Sequence, residues 1–339
     1  MHSRELRSAT LGDVARAAGV HVSTVSRVLT DAPRHRVSPE TRERVRRVAA
    51  ELKYRPNDVA RALRTACSGA LGMLVPSLRN PVYAEITRGA FRRAWERGLV
   101  VVLAEDVGGE DAERAYERLV QKSRIDGLLI AGARPGSILA AQAADVPVPF
   151  VYVNRRQPGA HNVSMREEDA ARVAAEHLLG LGHRRLGHLA GPRDIDTARR
   201  RLSGFRAAAK AGGAAVAVVH AAFDEREAYR AMGELVARAP RPTAVFTSNF
   251  NQAIGALAAA RGARLDVPRD LSLVTYDDDP IGEFLAPALT SIRMPLQELG
   301  VAAVDAMLGR LDGRPPEDVT VGTAPELVVR ASTARPAGG

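Results

Sequence analysis

Arginine is the side chain with most to offer chemically at the amino end of this 339-residue chain. Residues 1–66 hold 13 Arg and one Lys against seven Asp or Glu, a net +7; the remaining 273 residues balance 34 basic against 32 acidic side chains, a net +2. A planar guanidinium pairs well with phosphate oxygens, and each phosphate neutralised releases condensed counterions, so a concentrated excess of this kind points to a polyanion partner. A solvated helix face can carry the same charge, and charge alone does not separate the two. Signals for catalysis are poor by comparison. His183 and His188 stand five residues apart across a loop-to-strand transition, an unsuitable spacing for a shared metal ion. The stretch G-L-G-H-R-R (180–185) lacks the third glycine of a dinucleotide fingerprint, and no Walker sequence occurs. Cys67 is the single cysteine, which leaves thiol chemistry without a partner and rules out an internal disulfide framework. No enzyme, no cofactor and no metal site is therefore expected.

These side chains need elements to hold them. With 46% hydrophobic and 26% charged residues the composition is that of a soluble globular protein, and the length suggests two or three units. The amino-terminal stretch has no apolar core of signal-peptide length, and no run approaches the ~18 apolar residues of a membrane span, so a cytoplasmic protein with no membrane partner is expected. Residues 10–53 read as three short helices. Thr10 and Asp13 have capping-box spacing ahead of an apolar face of Leu11, Val14, Ala15 and Ala18. Gly19 breaks that helix and leads through a tight turn into a second, which makes a helix-turn-helix. A third opens at Ser38-Pro39 and repeats Val45, Val48, Ala49 and Leu52 at helical spacing.

From Ala70 onward short apolar runs alternate with amphipathic segments. The runs fall at 70–75, 99–103, 127–131, 148–153, 186–190, 215–219, 244–248 and 271–276. Helices are expected near 82–97, 111–123, 137–143, 167–180, 199–211, 225–238, 250–261 and 295–311. This alternation is the signature of doubly wound parallel sheets, and eight such units divide more naturally between two half-domains than within one sheet. A ligand would then lie in a cleft at the carboxyl ends of the strands.

The segments L-G-D-V-A-R-A-A-G-V-H-V-S-T-V-S-R-V-L (11–29), V-S-P-E-T-R-E-R-V (37–45) and L-K-Y-R-P-N-D-V-A-R-A-L (52–63) closely resemble the head and hinge of the LacI/GalR family of bacterial transcription regulators. The resemblance continues through G-H-R-R-L-G-H-L-A-G-P (182–192), R-L-S-G-F (201–205), V-P-R-D-L-S-L-V-T-Y-D-D (267–278) and L-T-S-I-R-M-P (289–295). It implies an α/β protein with an N-terminal three-helix helix-turn-helix head at 1–55, a hinge helix and linker at 56–67, and a periplasmic-binding-protein-like core at 68–339. That core would comprise two doubly wound α/β subdomains, about 68–160 plus 292–323 and about 161–291 plus 324–339, with crossovers near 159–164, 289–294 and 322–326. It further implies a homodimer on a pseudo-palindromic double-stranded operator, controlled by a small-molecule effector, most often a sugar. A repressor of carbohydrate uptake or catabolism genes is the leading expectation; a sugar-binding transport component is the alternative, opposed by the basic head.

Residue by residue, the resemblance places base reading on Val22, Ser23 and Arg27. Elementary geometry agrees, since positions one helical turn apart share a face and arginine can bond guanine O6 and N7 bidentately in a major groove. Thr24 and Ser26 suit phosphate contacts that set register, joined by Thr10, by Arg34 in the loop 31–36 and by Asn57 at the hinge. Leu63 matches the wedge that kinks a central base step from the minor groove. Effector contacts are expected from Arg199, Asp277, Asn249 and Asn154, with Tyr83 and Phe250 covering an apolar sugar face. Three departures from the family pattern bear on the ligand: Asn154 replaces the common aspartate, Phe250 replaces the aspartate that usually follows Asn249, and R-E-E-D (166–169) replaces the usual D-N pair.

Overall fold

The computed structural model describes residues 9–29, 37–54, 67–106, 125–132 and 148–337. Two compact units divide the chain at Ser68 and Gly69. The expected hinge helix, and with it Asn57 and Leu63, lies outside the described residues, as do Arg34 and the helices expected at 111–123 and 137–143.

In the first unit α1 (Leu11–Ala18), α2 (Val22–Leu29) and α3 (Pro39–Glu51) enclose a small core of Val14, Ala18, Val25, Val28, Val45 and Val48. The start of α1 is fixed by a reciprocal capping box. Thr10 Oγ1 accepts from the Asp13 backbone N–H at 3.2 Å, and the Asp13 carboxylate accepts from the Thr10 N–H at 3.0 Å. Gly19 ends the helix at φ +63°, a left-handed conformation that costs glycine little and turns the chain toward α2 within three residues. His21 takes the cap position of α2, where its Nδ1 accepts from the Ser23 N–H at 3.3 Å. Ser38 caps α3 through the Thr41 N–H, and Pro39 presets the first helical φ.

The second unit holds two six-stranded sheets. Strands β1 (Ala70–Val75), β2 (Val100–Glu105), β3 (Gly127–Ala131), β4 (Phe150–Val153), β5 (Asn162–Ser164) and β11 (Val319–Thr320) form the first, in the order β11-β5-β4-β3-β1-β2, with every pair parallel. Strands β6 (Arg185–Ala190), β7 (Ala215–His220), β8 (Ala244–Thr247), β9 (Ser272–Tyr276), β10 (Thr290–Arg293) and β12 (Glu326–Val328) form the second, in the order β12-β10-β9-β8-β6-β7. It is parallel except for the antiparallel pair β10–β12. The two orders are the same when β1 is matched with β6, β4 with β9 and β11 with β12. Each sheet belongs to one lobe. The central strands are apolar and buried on both faces, as parallel sheets covered by helices require.

The first lobe contains α4 (Pro81–Glu96) and α9 (Leu296–Leu311); the second contains α5 (Glu167–Gly180), α6 (Asp196–Ala211), α7 (Glu225–Val236) and α8 (Phe250–Gly262). Helix α9 lies against α4 through glycines, because a Cβ on Gly89 would meet the Gln297 carbonyl oxygen and one on Gly300 the Ile86 carbonyl oxygen. Gly204, in the R-L-S-G-F segment, does the same for α6 against the backbone of Glu168.

The chain passes between lobes at 165–166, 294–295 and 321–325. The first two passages come later than the sequence suggests. Strand β5 adds to the first sheet and so carries that lobe past residue 160, to Ser164, while β10 belongs to the second sheet up to Arg293. Arg156 bridges the ends of the two paired strands that lead into the first and third passages, its Nε donating to Ser164 Oγ at 3.0 Å and an Nη to Thr320 Oγ1 at 3.3 Å.

Candidate functional site

Two places gather chemistry. In the head, burial of Val25 and Val28 against α1 and α3 turns the opposite side of α2 outward, and that side carries Val22 and Arg27 exposed with Ser23, Thr24 and Ser26 half-buried. Ser23 Oγ lies 2.8 Å from His21 Nδ1. Thr10 lies apart from this row, and its hydroxyl donates to Asp13 at 2.7 Å. Those two hydrogen bonds from Thr10, followed by the charge of Arg16, hold the Asp13 carboxyl below its usual range despite partial desolvation.

In the core, the carboxyl ends of the strands from both lobes face one cleft. An outer cavity of about 640 Å³ is bounded by Ser77, Asn80, Tyr83 and Arg155 from the first lobe and by Asp194 and Phe223 from the second. It continues inward to a narrow space where Asn154, Arg201, Asn249 and Asp277 meet Tyr83 and Arg155. Asn154 follows β4 and Asp277 follows β9, so they hold equivalent places in the two lobes. Both adopt left-handed backbone, at φ +72° and +73°. Such a conformation in a non-glycine residue is a strained device found at ligand clamps.

Asp277 is buried, and neither carboxylate oxygen has a hydrogen-bond partner. Burial pushes its pKa up to about 7; the Arg201 charge pulls it down, and Glu167 and Asp279 push it up further. Asn154 Oδ1 is likewise buried and unpartnered. Asn249 has less to spare. Its Oδ1 caps α8 by accepting from the Gln252 N–H at 2.9 Å, and its amide donates to the Phe223 carbonyl at 3.3 Å.

Behind these residues lies a buried charge network. Arg201 Nε donates to Glu167 Oε2 at 2.6 Å, an Nη donates to the Ser248 carbonyl at 2.5 Å, and the guanidinium sits 3.4 Å from the centroid of the Tyr276 ring. The Tyr276 hydroxyl donates to the same Glu167 oxygen at 2.6 Å. Burial opposes the charge on Arg201, but Glu167, with help from Tyr276 and Asp277, outweighs it and raises the pKa above that of an ordinary arginine.

The structure thus brings Tyr83, Asn154, Asn249 and Asp277 to one cleft and sends two expected residues elsewhere. Arg199 points away: its side chain is 55% exposed, and an Nη donates to the Asp194 carbonyl at 3.2 Å. Phe250 packs inside the second lobe among Leu189, Leu271 and Leu289 rather than lining the cleft. Arg201, Arg155 and Phe223 are in the cleft instead. Helical spacing could have found the first of them, because Ala198, Phe205 and Ala209 form the buried stripe of α6 and Arg201 lies on it, whereas Arg199 does not. Both candidate metal histidines are internal. His183 hydrogen-bonds Thr243 Oγ1 and the Ala334 carbonyl at 2.9 Å each; His188 packs between Phe205 and Phe246, and burial drives its pKa down to about 3. Among the described residues no group of His, Cys, Asp or Glu is placed to hold a metal ion, and no helix is long and apolar enough to cross a membrane.

Comparison with known proteins decides what head and cleft serve together. Residues 10–57 match a family described as bacterial regulatory proteins of the lacI family, and residues 175–333 match a periplasmic binding protein-like domain. The chain is 34% identical over 331 residues to the ribose operon repressor of Escherichia coli (strain K12), covering 96% of this chain and 99% of that one. The chain belongs to the LacI family. To the HTH-type transcriptional repressor PurR of Klebsiella pneumoniae (strain 342) it is 32% identical over 333 residues, covering 96% and 97% of the two chains. The crystal structure of the lac repressor dimer bound to operator and the anti-inducer ONPF superposes with a TM-score of 0.84 at 29% identity, over 97% of this chain and all of that one. As a LacI-family protein this is a DNA-binding transcription repressor controlled by a small-molecule effector. Its relatives are repressors rather than enzymes, and nothing among them favours a transport component.

Proposed function

We propose that this repressor binds a pseudo-palindromic operator as a homodimer in the cytoplasm, and that a polyhydroxylated small molecule of the carbohydrate class, bound between the core lobes, changes its DNA affinity. The observation that carries the effector reading is the pair of buried, unpartnered acceptors on equivalent strand ends, Asp277 and Asn154, facing one cleft. Unpaired buried acceptors are costly, and vicinal hydroxyls are donors that relieve the cost. Tyr83 and Phe223 supply aromatic faces for the apolar side of a sugar ring. The relative that represses a ribose operon fits the same class. A ligand that binds the closed arrangement of lobes better than the open one shifts the population between them, which is how cleft occupancy is linked to DNA affinity.

On the DNA side Arg27 and Val22 are the exposed readers of α2. Arg27→Ala is expected to cost about 1–3 kcal/mol at the operator and to relax preference at one base pair per half-site. Selection from a randomised-site library checks this, and an unchanged sequence preference would remove Arg27 from the readers. Sedimentation at micromolar concentration is expected to give a dimer, since two heads are needed to occupy the two halves of a two-fold operator. A thermal-shift screen of sugars, sugar derivatives and nucleobases tests the effector class; a nucleobase that binds where no sugar does would overturn it.

A further inference from the structure

The paired strand ends carry charge as well as strain. Each left-handed residue is followed by an ion: Asp277 by Asp278, Asn154 by Arg155. Asp278 is well supplied with partners. Its oxygens accept from an Arg330 Nη at 2.7 Å and from Ser291 Oγ at 2.6 Å, and from Arg293 at 2.7 and 2.9 Å. Arg155 has no such counterpart. It is 94% buried, judged from a residual exposure of 6%, yet among the described residues no carboxylate pairs with it. Its guanidinium donates to two neutral oxygens, the Gly132 carbonyl and, at 3.3 Å, the Tyr83 hydroxyl, while its Nε–H is buried with no partner at all. Arg155 lines both the outer cavity and the inner space of the cleft.

A cation held in a desolvated cavity without a counter-ion is unfavourable, and it fits a ligand that brings the counter-ion with it. We propose that Arg155 binds an anionic group of the effector, so that the physiological ligand is an acidic sugar, a polyhydroxylated skeleton bearing a carboxylate or a phosphate. The inference rests on the carbohydrate reading of the cleft and narrows it. In this arrangement the first lobe receives the anion at Arg155, and the second lobe receives hydroxyls at Asp277. Each ligand end satisfies groups that the protein leaves unpaired, and a ligand touching both lobes favours their closure. The outer cavity carries both signs, with Asp194, Asp224 and Glu225 beside Arg79 and Arg226, and Arg155 is the buried cation among them.

The test uses the full-length protein and isothermal titration with glucose, galactose and ribose, each beside its sugar acid and its phosphate monoester. An acidic form is expected to bind about 10- to 100-fold more tightly than its neutral parent. Arg155→Gln is expected to weaken the acidic form at least about tenfold more than its neutral parent, and Arg155→Lys to restore part of that difference. Retained operator binding by both variants verifies that they fold. Comparison of the carboxylate and phosphate arms identifies which anion is preferred. Tighter binding of a neutral sugar, or no binding of any acidic sugar, overturns the proposal and leaves the carbohydrate reading standing if a neutral sugar binds. Loss of acidic and neutral binding by the same factor in Arg155→Gln would mark a lobe-closing strut and also overturns it. Binding of a nucleobase alone defeats both readings.

Discussion

Asp277→Asn is expected to melt higher than the wild type at pH 8 and at nearly the same temperature at pH 4. The unfolded carboxyl ionises near its ordinary value of 3.8, whereas burial holds the folded one at about 7. Between those values the native state keeps a proton that the unfolded state has shed, so native stability falls as pH rises through this window and levels off above it. A shift of that size corresponds to a destabilisation on the order of 4 kcal/mol at pH 8, or roughly 8 °C of melting temperature for a core of this length. An asparagine of the same shape removes the ionisation. Scanning calorimetry of both proteins from pH 4 to 8 checks the prediction; parallel pH profiles would mean that Asp277 does not carry the effect. The same linkage predicts that a diol donating to the carboxylate releases a proton on binding near pH 6, so wild-type affinity rises with pH and that of Asp277→Asn does not.

The second large effect is expected at Arg201. Replacing it with methionine leaves the buried Glu167 side chain without its cationic partner, at a cost of about 3–5 kcal/mol. The double variant Arg201→Met with Glu167→Gln should recover a large part of that loss, which a double-mutant cycle in urea measures. Arg199→Ala, on an exposed side chain two residues earlier, should change stability by less than about 0.5 kcal/mol. Equal losses for Arg199 and Arg201 would contradict the placement of these residues on α6.

The contrast between those arginines shows what the sequence made legible. Long central strands were readable because burial on both faces forces continuous apolar runs, as in A-L-G-M-L-V at 70–75. The helix-turn-helix was readable from its caps and its glycine. Strands β5, β10, β11 and β12 were not, since they are two to four residues long and mix their few apolar residues with Asn, Ser, Thr, Arg or Glu. Their identity as strands comes from pairing rather than from local pattern. The displaced lobe boundaries follow directly, because those strands flank the passages. Within the cleft, Asp277 and Asn249 were found by resemblance, while Phe250 was misplaced because the residue after an N-cap begins the helix and here turns toward the lobe's core. Arg155 gave no local signal, for its significance lies in the absence of a counter-ion among the described residues, which only a folded cavity can reveal.

The three passages between lobes are two, two and five residues long, and Arg156 bridges the ends of the strands that lead into two of them. Short tethers in parallel behave as a mechanical flexure. Pulling the lobes straight apart would stretch all three at once, so the short tethers oppose separation of the lobes more than a turn of one on the other. Such connections are the usual site of a hinge, whose few residues absorb the dihedral change when one lobe turns on the other. The same redundancy means that a protease cutting any single tether would leave two intact, so the lobes of a nicked core would remain joined and the cut would loosen the hinge without separating the halves.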